Sequence, residues 1–394
     1  MSRPIRVVFL VFYFEAWDAL DAIYRGMLTD PRFEPLVVTI PRKLTGYEKF
    51  TDEKKVSAYL DSVGIQHERF RYKKSKEGLA RLKELAPDYI FLNYPWQRNY
   101  KKNYQIEKLA RFTKVCYVPY FSTSLVQEPG ESGVAPHQYT QPTHQLAHMV
   151  FLQDADTKAA FDANGRSAHA FLTGTPKIDA LIEAKSHVKS MWPIVRDLPE
   201  GKQPFRLIWA PHHSYADRWL NFGHFNNQRE PMLAFAQKHP ELDIVFRPHP
   251  FLFGTMTDRD VMTQEEVDHW RSQWDALPNT FTDLGAPLTS LMLASDALLT
   301  DGVSFIAEYP LVTGNPAIFW EKPEHWEFSP LGNIAAASTV TVHTMAEVER
   351  AIEQAASGTL PDRTKEIQAL VAAVRPQPAT AAHTIIELVV KDYS

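Results

Sequence analysis

Short apolar runs alternate along the chain with stretches whose apolar residues recur every three or four positions. The first run, 5–12, is apolar almost throughout, as expected for a strand buried on both faces of a parallel sheet. The next stretch places Ala19, Ile23 and Met27 on one helical stripe. Further strands are predicted at 33–40, 66–70, 89–93, 114–118, 147–152 and 168–173, with helices at 16–28, 56–63, 79–85, 155–162 and 177–184. This rhythm predicts a doubly wound α/β domain.

Segment 186–204 contains three prolines and a glycine, which predicts an interdomain connection. After it, the alternation of strand and helix patterns begins again. Strands are predicted at 205–210, 242–246, 280–283, 297–300 and 317–320, and a capping box at Thr344 opens a helix. We therefore expect two Rossmann-like domains facing across a cleft. Residues 1–190 would form the N-terminal domain, 200–375 the C-terminal domain, and 376–394 a C-terminal helix that returns to the first domain.

Composition narrows the function classes. Lys and Arg number 42 against 47 Asp and Glu, a net charge of −5, so the chain lacks the basic balance of a nucleic-acid-binding protein. The single cysteine, Cys116, excludes an intrachain disulfide and lies in an apolar run that predicts a buried thiol. The sequence has no apolar stretch of the roughly 20 residues that a membrane span needs. The run at 5–12 reads as a core strand rather than a signal peptide, and we expect a cytoplasmic protein.

Three polar motifs each follow a predicted strand of the second half, where ligands bind in open α/β sheets. The first contains His212, His213 and Ser214, after the strand that ends at Ala210. These side chains are predicted to donate hydrogen bonds to phosphate oxygens, and a polar loop with surface histidines is the alternative. A zinc pair is not expected, because adjacent histidines would point to opposite sides and no Cys or acidic ligand lies at a familiar spacing.

The second motif is Arg247-Pro248-His249-Pro250, after the strand 242–246. The flanking prolines hold His249, and Arg247 supplies a fixed positive charge. This arrangement predicts charge neutralisation or proton donation at a leaving diphosphate. A purely structural proline turn is the alternative.

The third motif runs from Thr300 through Asp301, Gly302 and Ser304 to Glu308. A strand ends at Thr300, and Ser304 lies near the first turn of a helix whose N–H groups form an anion site. Gly302 lets a phosphate approach the backbone, and Glu308 is placed to accept hydrogen bonds from ribose hydroxyls. An N-cap without a ligand is the alternative.

In this order and spacing, the motifs resemble those of the CDP-glycerol glycerophosphotransferase family, the teichoic-acid and capsule polymerases of bacteria. The family's "APT/APH" loop, "HP" motif, "TDYSS" turn and "KP-hydrophobic" strand are similar to 210–212, 249–250, 300–304 and 314–319, and its "GYPRND" segment to 171–179. The resemblance extends over about 147–320. It implies a GT-B fold and a CDP-alditol or related donor, with 1–190 as the acceptor-side domain and 200–375 as the nucleotide-donor domain. His249 would contact the donor diphosphate, and Ser304, with the backbone near Asp301, would hold its phosphates. A metal-independent site follows, so no cofactor and no metal ligand are expected.

The acceptor side departs from the family, in which a "WHG" turn supplies the expected general base. The corresponding turn is Pro119-Tyr120-Phe121 and has no histidine. Tyr120 is a poor base unless its pKa falls below the usual value of about 10, and His137 is the alternative. His144 and His148 are one helical turn apart and predict either a surface helix or, with a third ligand, a metal pair. The acidic residues close in sequence are Glu128 and Glu131. The aromatic residues Tyr94, Trp96, Tyr100 and Tyr104 predict either an acceptor groove or core packing.

The sequence therefore predicts a transferase that moves glycerol phosphate, or a related alditol phosphate, from a CDP-activated donor to a hydroxyl group. His249, His137 and Tyr120 are the predicted catalytic residues. The acceptor would be a polyol or glycan, lipid-linked if the protein contacts the inner face of the cytoplasmic membrane. The alternatives are a glycosyltransferase that uses a nucleotide sugar, a non-catalytic nucleotide-binding assembly protein, and an epimerase that needs no acceptor.

Overall fold

The computed structural model describes residues 3–43, 49–51, 53–120, 125–130, 134–197, 203–215, 220–284 and 288–394. The strands are β1 Ile5–Val11, β2 Phe33–Thr39, β3 His67–Arg69, β4 Tyr89–Leu92, β5 Lys114–Tyr117, β6 Met149–Leu152, β7 Ala170–Leu172, β8 Phe205–Ala210, β9 Leu242–Phe246, β10 Thr280–Thr282, β11 Ala297–Thr300, β12 Ile318–Trp320 and β13 Val340–Val342.

The helices are α1 Asp18–Thr29, α2 Lys54–Ser62, α3 Ser75–Glu84, α4 Ile106–Leu109, α5 Pro142–Leu146, α6 Ala155–Ala163, α7 Pro176–His187, α8 Phe225–Lys238, α9 Leu252–Asp258, α10 Gln264–Asp275, α11 Leu288–Ala294, α12 Phe305–Thr313, α13 Pro330–Ala337, α14 Met345–Ala356, α15 Thr364–Val374 and α16 Ala381–Tyr393. No helix in the described ranges is long and apolar enough to cross a bilayer.

The chain divides into two compact units. Unit 1 comprises Met1–Ser124, Gly133–Ala180 and Ala373–Ser394, and unit 2 comprises Leu125–Ser132 and Leu181–Ala372. Unit 1 contains a parallel seven-stranded sheet of order β3-β2-β1-β4-β5-β6-β7. Unit 2 contains a parallel six-stranded sheet of order β10-β9-β8-β11-β12-β13. The predicted α/β class with two Rossmann-like sheets is confirmed.

The core of unit 1 lies on both faces of its sheet, as the continuous apolar pattern of β1 predicts. Phe9 points to one face and stacks on Phe91 at 5.1 Å between ring centroids. Phe12 contacts Tyr100 at 4.7 Å, within the cluster that covers the other face. Cys116 is fully buried in the first cluster, which confirms the predicted structural thiol.

The C-terminal helix α16 packs against α1 of unit 1 through buried apolar residues that include Ile385 and Ile386. Its last turn carries Asp392, whose carboxylate accepts hydrogen bonds from the Tyr89 hydroxyl at 2.7 Å and the Lys114 ammonium at 2.8 Å, and lies 2.9 Å from His148 Nε2. Burial alone would raise the pKa of Asp392, but these partners lower it to about 2.

The segment predicted as a connection is anchored to unit 2. Asp243 of β9 accepts a hydrogen bond from Trp192 Nε1 at 3.1 Å and forms an ion pair with Arg196 at 2.7 Å. Four elements of unit 2 were not predicted from the sequence, namely α9, α13, β13 and α15. Segments as short as β13 carry too few alternating positions to produce a clear period.

Candidate functional site

Three strands of unit 2 end side by side and carry the three predicted motifs. In the register of the sheet, Trp209 of β8 pairs with Phe246 of β9, and Ala210 pairs with Thr300 of β11. Backbone hydrogen bonds extend this alignment beyond β8, from Arg247 N to Trp209 O at 2.8 Å and from His249 N to Pro211 O at 3.0 Å. The loops after β8 and β9 are therefore held together at the carboxyl edge of the sheet, where ligands bind in this class of fold.

The histidines of the first two motifs form one cluster. The ring of His213 stacks on His249 with centroids 3.9 Å apart, and the His212 ring lies 4.8 Å from His213 and 5.2 Å from His249. The expectation that His212 and His213 point to opposite sides is wrong. Both residues lie in the loop beyond the last residue of β8, so the alternation of a pleated strand does not apply to them.

All three imidazoles are neutral near pH 7. Burial is the main cause, followed for His212 and His249 by neighbouring imidazoles and for His213 by Arg259. The pKa falls well below the usual value for His212, to about 4 for His213 and to about 3 for His249. The cluster therefore presents polar ring nitrogens with no net charge. The exposed ring of Phe251 lies beside it, 5.7 Å from His213 and 5.5 Å from His249.

Ser214 is buried, and its side chain contacts other residues of the loop after β8. Its hydroxyl oxygen lies 2.8 Å from His212 Nδ1 and accepts the backbone N–H of Phe222 at 2.9 Å. The predicted direct contact between this hydroxyl and a phosphate is not supported, because the hydroxyl is buried and both of its contacts are with residues of the same loop.

Arg247 forms an ion pair with Asp283, which follows β10, at 2.6 Å. Asp283 is buried and compensates the positive charge of the guanidinium. Arg247 therefore has the fixed positive charge expected from the sequence, but this charge is paired with the Asp283 carboxylate. The loop prolines are in trans, since the described part of the chain has no cis peptide bond.

Asp301 holds two loops together instead of facing solvent. Its carboxylate accepts the backbone N–H of His212 at 2.5 Å and that of His224 at 2.6 Å. Burial raises the pKa of Asp301 to about 7, against the opposite effect of these two hydrogen bonds. The role predicted for Asp301 was a part in phosphate binding, and the structure gives its side chain a positioning role.

Gly302 lies against the histidine cluster, because an added Cβ would be 3.7 Å from the His212 side chain. Its N–H donates to the Thr300 hydroxyl at 2.8 Å, and that hydroxyl donates to the Ala210 carbonyl at 2.7 Å. The Gly302 N–H is thus used inside the turn. The close approach of backbone to ligand at this glycine remains a prediction.

Ser304 and Glu308 lie in the first turn of α12. Ser304 is exposed at the N-cap position, where its side chain makes no capping hydrogen bond, and its carbonyl accepts the Glu308 N–H at 2.9 Å. The side chain of Glu308 is buried. The first N–H groups of a helix have no partner within the helix, and anion binding at this turn stays a prediction.

His224 was not predicted as a site residue, and it joins the site at the end of the loop after β8. The His224 ring stacks on Trp320 of β12 at 5.6 Å, and its backbone shares the Asp301 carboxylate with His212. Burial lowers the pKa of His224 to about 4. The same loop is held at Asn221, whose side-chain oxygen accepts from Lys322 at 2.6 Å.

In unit 1, Tyr120 is a worse base than the sequence suggested. Burial raises its pKa, as does the neighbouring Tyr94, so the phenol keeps its proton at neutral pH. Its ring packs 5.5 Å from Tyr13 and 5.2 Å from Tyr94. His137 is exposed and stacks 6.1 Å from Trp96, so it stays the predicted base. Phe121 and Glu131 lie outside the described residues.

The paired interpretation of His144 and His148 is wrong. The helix α5 ends at Leu146, before His148, and His148 binds Asp392. His144 is buried, and burial lowers its pKa to about 3. Three of the four aromatic residues weighed as an acceptor groove are core residues, since Tyr94, Tyr100 and Tyr104 are buried.

Comparisons with known proteins give structural relatives only. No family model matches the sequence, and no curated protein matches it. The UDP-GlcNAc 2-epimerase of Neisseria meningitidis bound to UDP-GlcNAc has a TM-score of 0.62 at 13% identity, over 98% of this chain and 100% of that chain. A putative UDP-N-acetylglucosamine 2-epimerase of Listeria monocytogenes has a TM-score of 0.62 at 13% identity, over 99% of this chain and 97% of that chain.

A variant of the wall teichoic acid polymerase TagF has a TM-score of 0.55 at 13% identity, over 99% of this chain and 90% of that chain. Identities this low show similarity of fold alone. The chain therefore has the two-domain α/β fold, GT-B, that these enzymes share.

Proposed function

We propose that the protein acts on a substrate activated by a nucleoside diphosphate, which unit 2 binds at the carboxyl edge of its sheet. The observation that carries this proposal is the convergence of His212, His213 and His249 from two loops. Gly302 adjoins them and leads into the first turn of α12, where N–H groups favour phosphate. Phe251, which is 66% exposed, offers an aromatic face beside the cluster on which a base can stack.

We propose further that the reaction is transfer of an alditol phosphate from a CDP-linked donor. The motifs at 210–212, 249–250 and 300–304 support this choice through their resemblance to the glycerophosphotransferases, and TagF has the same fold. The acceptor hydroxyl oxygen attacks the phosphorus of the glycerol phosphate and forms a new P–O bond. The P–O bond to CMP breaks and CMP leaves, while the hydroxyl proton passes to a base, for which His137 is the candidate.

In this reaction the task of the protein is to position the substrates and stabilise charge. The histidine cluster would hold phosphoryl oxygens of the donor, and α12 would contribute its first N–H groups. Glu308 would contact the ribose. The site would work without a metal ion or a cofactor.

The second candidate is epimerisation of a UDP-sugar. The N. meningitidis and L. monocytogenes epimerases match a larger share of their own length and have higher TM-scores than TagF. Both candidates place a nucleotide in unit 2. They differ in the need for an acceptor and in the products, because the transferase releases CMP whereas the epimerase returns a UDP-sugar.

A donor panel separates the two. The protein is incubated with CDP-glycerol, CDP-ribitol, UDP-GlcNAc and a GDP-sugar, with and without a polyol acceptor, and products are followed by chromatography and ³¹P NMR. Release of CMP from a CDP-alditol supports the transferase. Conversion of UDP-GlcNAc to its 2-epimer without acceptor supports the epimerase, and turnover of a UDP-sugar only with acceptor supports a glycosyltransferase.

His249→Ala is the test variant and should lower turnover about a hundredfold or more, the usual cost of losing a donor to developing charge. His239→Ala is the matched control, because His239 follows α8 before β9 begins and pairs with Glu241 at 2.9 Å. No turnover of any donor by the wild-type protein would favour the non-catalytic assembly protein.

A further inference from the structure

The hydrogen bonds around the histidine cluster determine where two of its protons lie. His212 Nδ1 accepts the backbone N–H of Ser214 at 3.3 Å, and His249 Nδ1 accepts the backbone N–H of Phe251 at 3.2 Å. A backbone N–H can only donate, so each Nδ1 must present its lone pair. In a neutral imidazole the proton is then on Nε2.

Ser214 strengthens this arrangement at His212. Its oxygen already accepts the N–H of Phe222 at 2.9 Å, and it lies 2.8 Å from His212 Nδ1. The hydroxyl hydrogen is therefore directed to Nδ1. His212 is held as the Nε2–H tautomer by two donors from one buried residue.

The proton positions decide between two kinds of ligand. One nitrogen atom from each of the three rings lies within 4.8 Å of the others, which is close enough for a shared metal ion. Metal binding through Nε2 needs a lone pair there. The proton of His249 would then move to Nδ1, where two hydrogen-bond donors, Nδ1–H and the N–H of Phe251, would face each other and the hydrogen bond would be lost. An anion meets no such conflict, because Nε2–H already points at it as a donor.

The charged groups around the cluster also favour neutral rings. Burial is the main cause of the low pKa values; Arg259, at the end of α9, further lowers the pKa of His213, and neighbouring imidazoles further lower the pKa of His212 and of His249. The carboxylate oxygens of Asp301 each accept a backbone N–H group, from His212 and from His224. Burial acts in this way because it disfavours a charged ring.

We propose that His212 and His249 bind a phosphoryl group of the donor as neutral Nε2–H hydrogen-bond donors, with Ser214 as the residue that positions His212. Binding then takes up no proton and needs no metal. The inference rests on the proposed nucleotide site and deepens it, because it assigns these histidines an electrostatic role and removes proton donation from His249.

The first test is calorimetric titration of the whole protein with UDP and CDP between about pH 7.5 and pH 9, above the phosphate pKa of about 6. Neutral donors predict an affinity that changes less than about twofold over this range and no proton exchange between buffers of different ionisation enthalpy. A site that needs an imidazolium would weaken about tenfold per pH unit and take up a proton.

The second test compares His249→Gln with His249→Ala. The glutamine amide can place an N–H donor near the position of Nε2 but cannot titrate. His249→Gln should bind UDP within about fivefold of the wild type, and His249→Ala should lose about tenfold or more. Equal losses in both variants would overturn the donor role.

The third test reads the tautomers directly, by ¹⁵N NMR of histidine-labelled protein without nucleotide. His212 and His249 should show the Nε2–H form at pH 7.5. Ser214→Ala should keep this form at His212, because the backbone N–H of residue 214 still donates to Nδ1, but it should shift the Nδ1 resonance of His212 alone, because the hydroxyl donor is lost. The Nδ1–H form at either histidine in the wild type would refute the proposal.

The metal alternative has its own outcome. If chelator treatment abolished UDP binding and Zn²⁺ restored it, the cluster would be a metal site and the inference would fail. If neither UDP nor CDP bound, the proposed function would fail together with phosphoryl binding at the cluster. The tautomer spectra would separately decide whether His212 and His249 are Nε2–H donors.

Discussion

The turn that joins β11 to α12 depends on one hydroxyl, and Thr300→Val removes it with little change of shape. The Thr300 hydroxyl donates to the Ala210 carbonyl at 2.7 Å and accepts the Gly302 N–H at 2.8 Å. Thr300 is 1% exposed, so water cannot replace either partner. Valine keeps the branched shape but leaves one carbonyl and one N–H unpaired.

An unpaired buried polar group costs about 1–3 kcal/mol, so two such groups should cost about 2–4 kcal/mol after some relaxation. Unit 2 has about 200 residues, a size at which 1 kcal/mol shifts Tm by about 2–4 °C. The unfolding transition of unit 2 should therefore fall by roughly 4–16 °C. UDP affinity should fall as well, because Gly302 adjoins His212 and loses its fixed position.

Differential scanning calorimetry with and without UDP measures both effects. Thr341→Val is the matched control, since Thr341 lies exposed on β13 of the same sheet, and it should unfold within about 1 °C of the wild type. If Thr300→Val unfolded as late as Thr341→Val, the hydrogen bonds of this hydroxyl would not hold the turn, and the reasoning would be refuted.

Three further predictions concern stability. Gly332→Ala should lower the free energy of unfolding of unit 2, measured with urea, by about 1–3 kcal/mol, because the added Cβ would lie 1.9 Å from the Leu125 carbonyl oxygen. Gly254→Ala in α9 is the control, because open space surrounds the added Cβ, and it should leave the free energy of unfolding unchanged or raise it by about 0.5–1 kcal/mol. The pKa of Asp392 is lowered to about 2, so this residue contributes stability above its unfolded pKa, and that contribution is lost as pH falls from about 4 to 2. Asp392→Asn should therefore lower the free energy of unfolding near pH 7 by up to about 2 kcal/mol and make it depend less on pH below about 4. An unchanged pH dependence in this range would contradict the prediction. The pKa of Asp301 is raised to about 7, so its effect on stability has the opposite sign: the contribution is full below the unfolded pKa of about 4 and is lost as pH rises to about 7. Over this range the free energy of unfolding of the wild type should fall by up to about 1.4 kcal/mol per pH unit relative to Asp301→Asn. A difference between the two proteins that did not depend on pH would contradict this prediction.

The site was predicted best where a motif of polar residues follows a strand with a clear apolar pattern. The bounds of β8, β9 and β11 were predicted to the residue, because each is a short, mainly apolar run that ends at a polar motif. Parallel strands bring their carboxyl ends to one edge, so His212 and His249 could be placed together from topology alone.

The partners of the polar groups could not be predicted in the same way. Arg247 pairs with Asp283, and Ser214 with His212, through loop paths that no periodicity encodes. Asp301 was identified as a site residue from its turn, but its carboxylate reaches the backbone of a loop that precedes it in sequence by many residues. Tyr120 failed as a base because burial, which depends on the packed fold, raises its pKa.

The most direct test of the nucleotide site is the affinity of unit 2 for nucleoside diphosphates, measured by calorimetry on the whole protein. We predict saturable binding of UDP or CDP, at least about tenfold weaker binding of the corresponding monophosphate, and a loss of that preference in His249→Ala but not in His239→Ala. Binding of the diphosphate no tighter than the monophosphate, or unchanged by His249→Ala, would contradict the account.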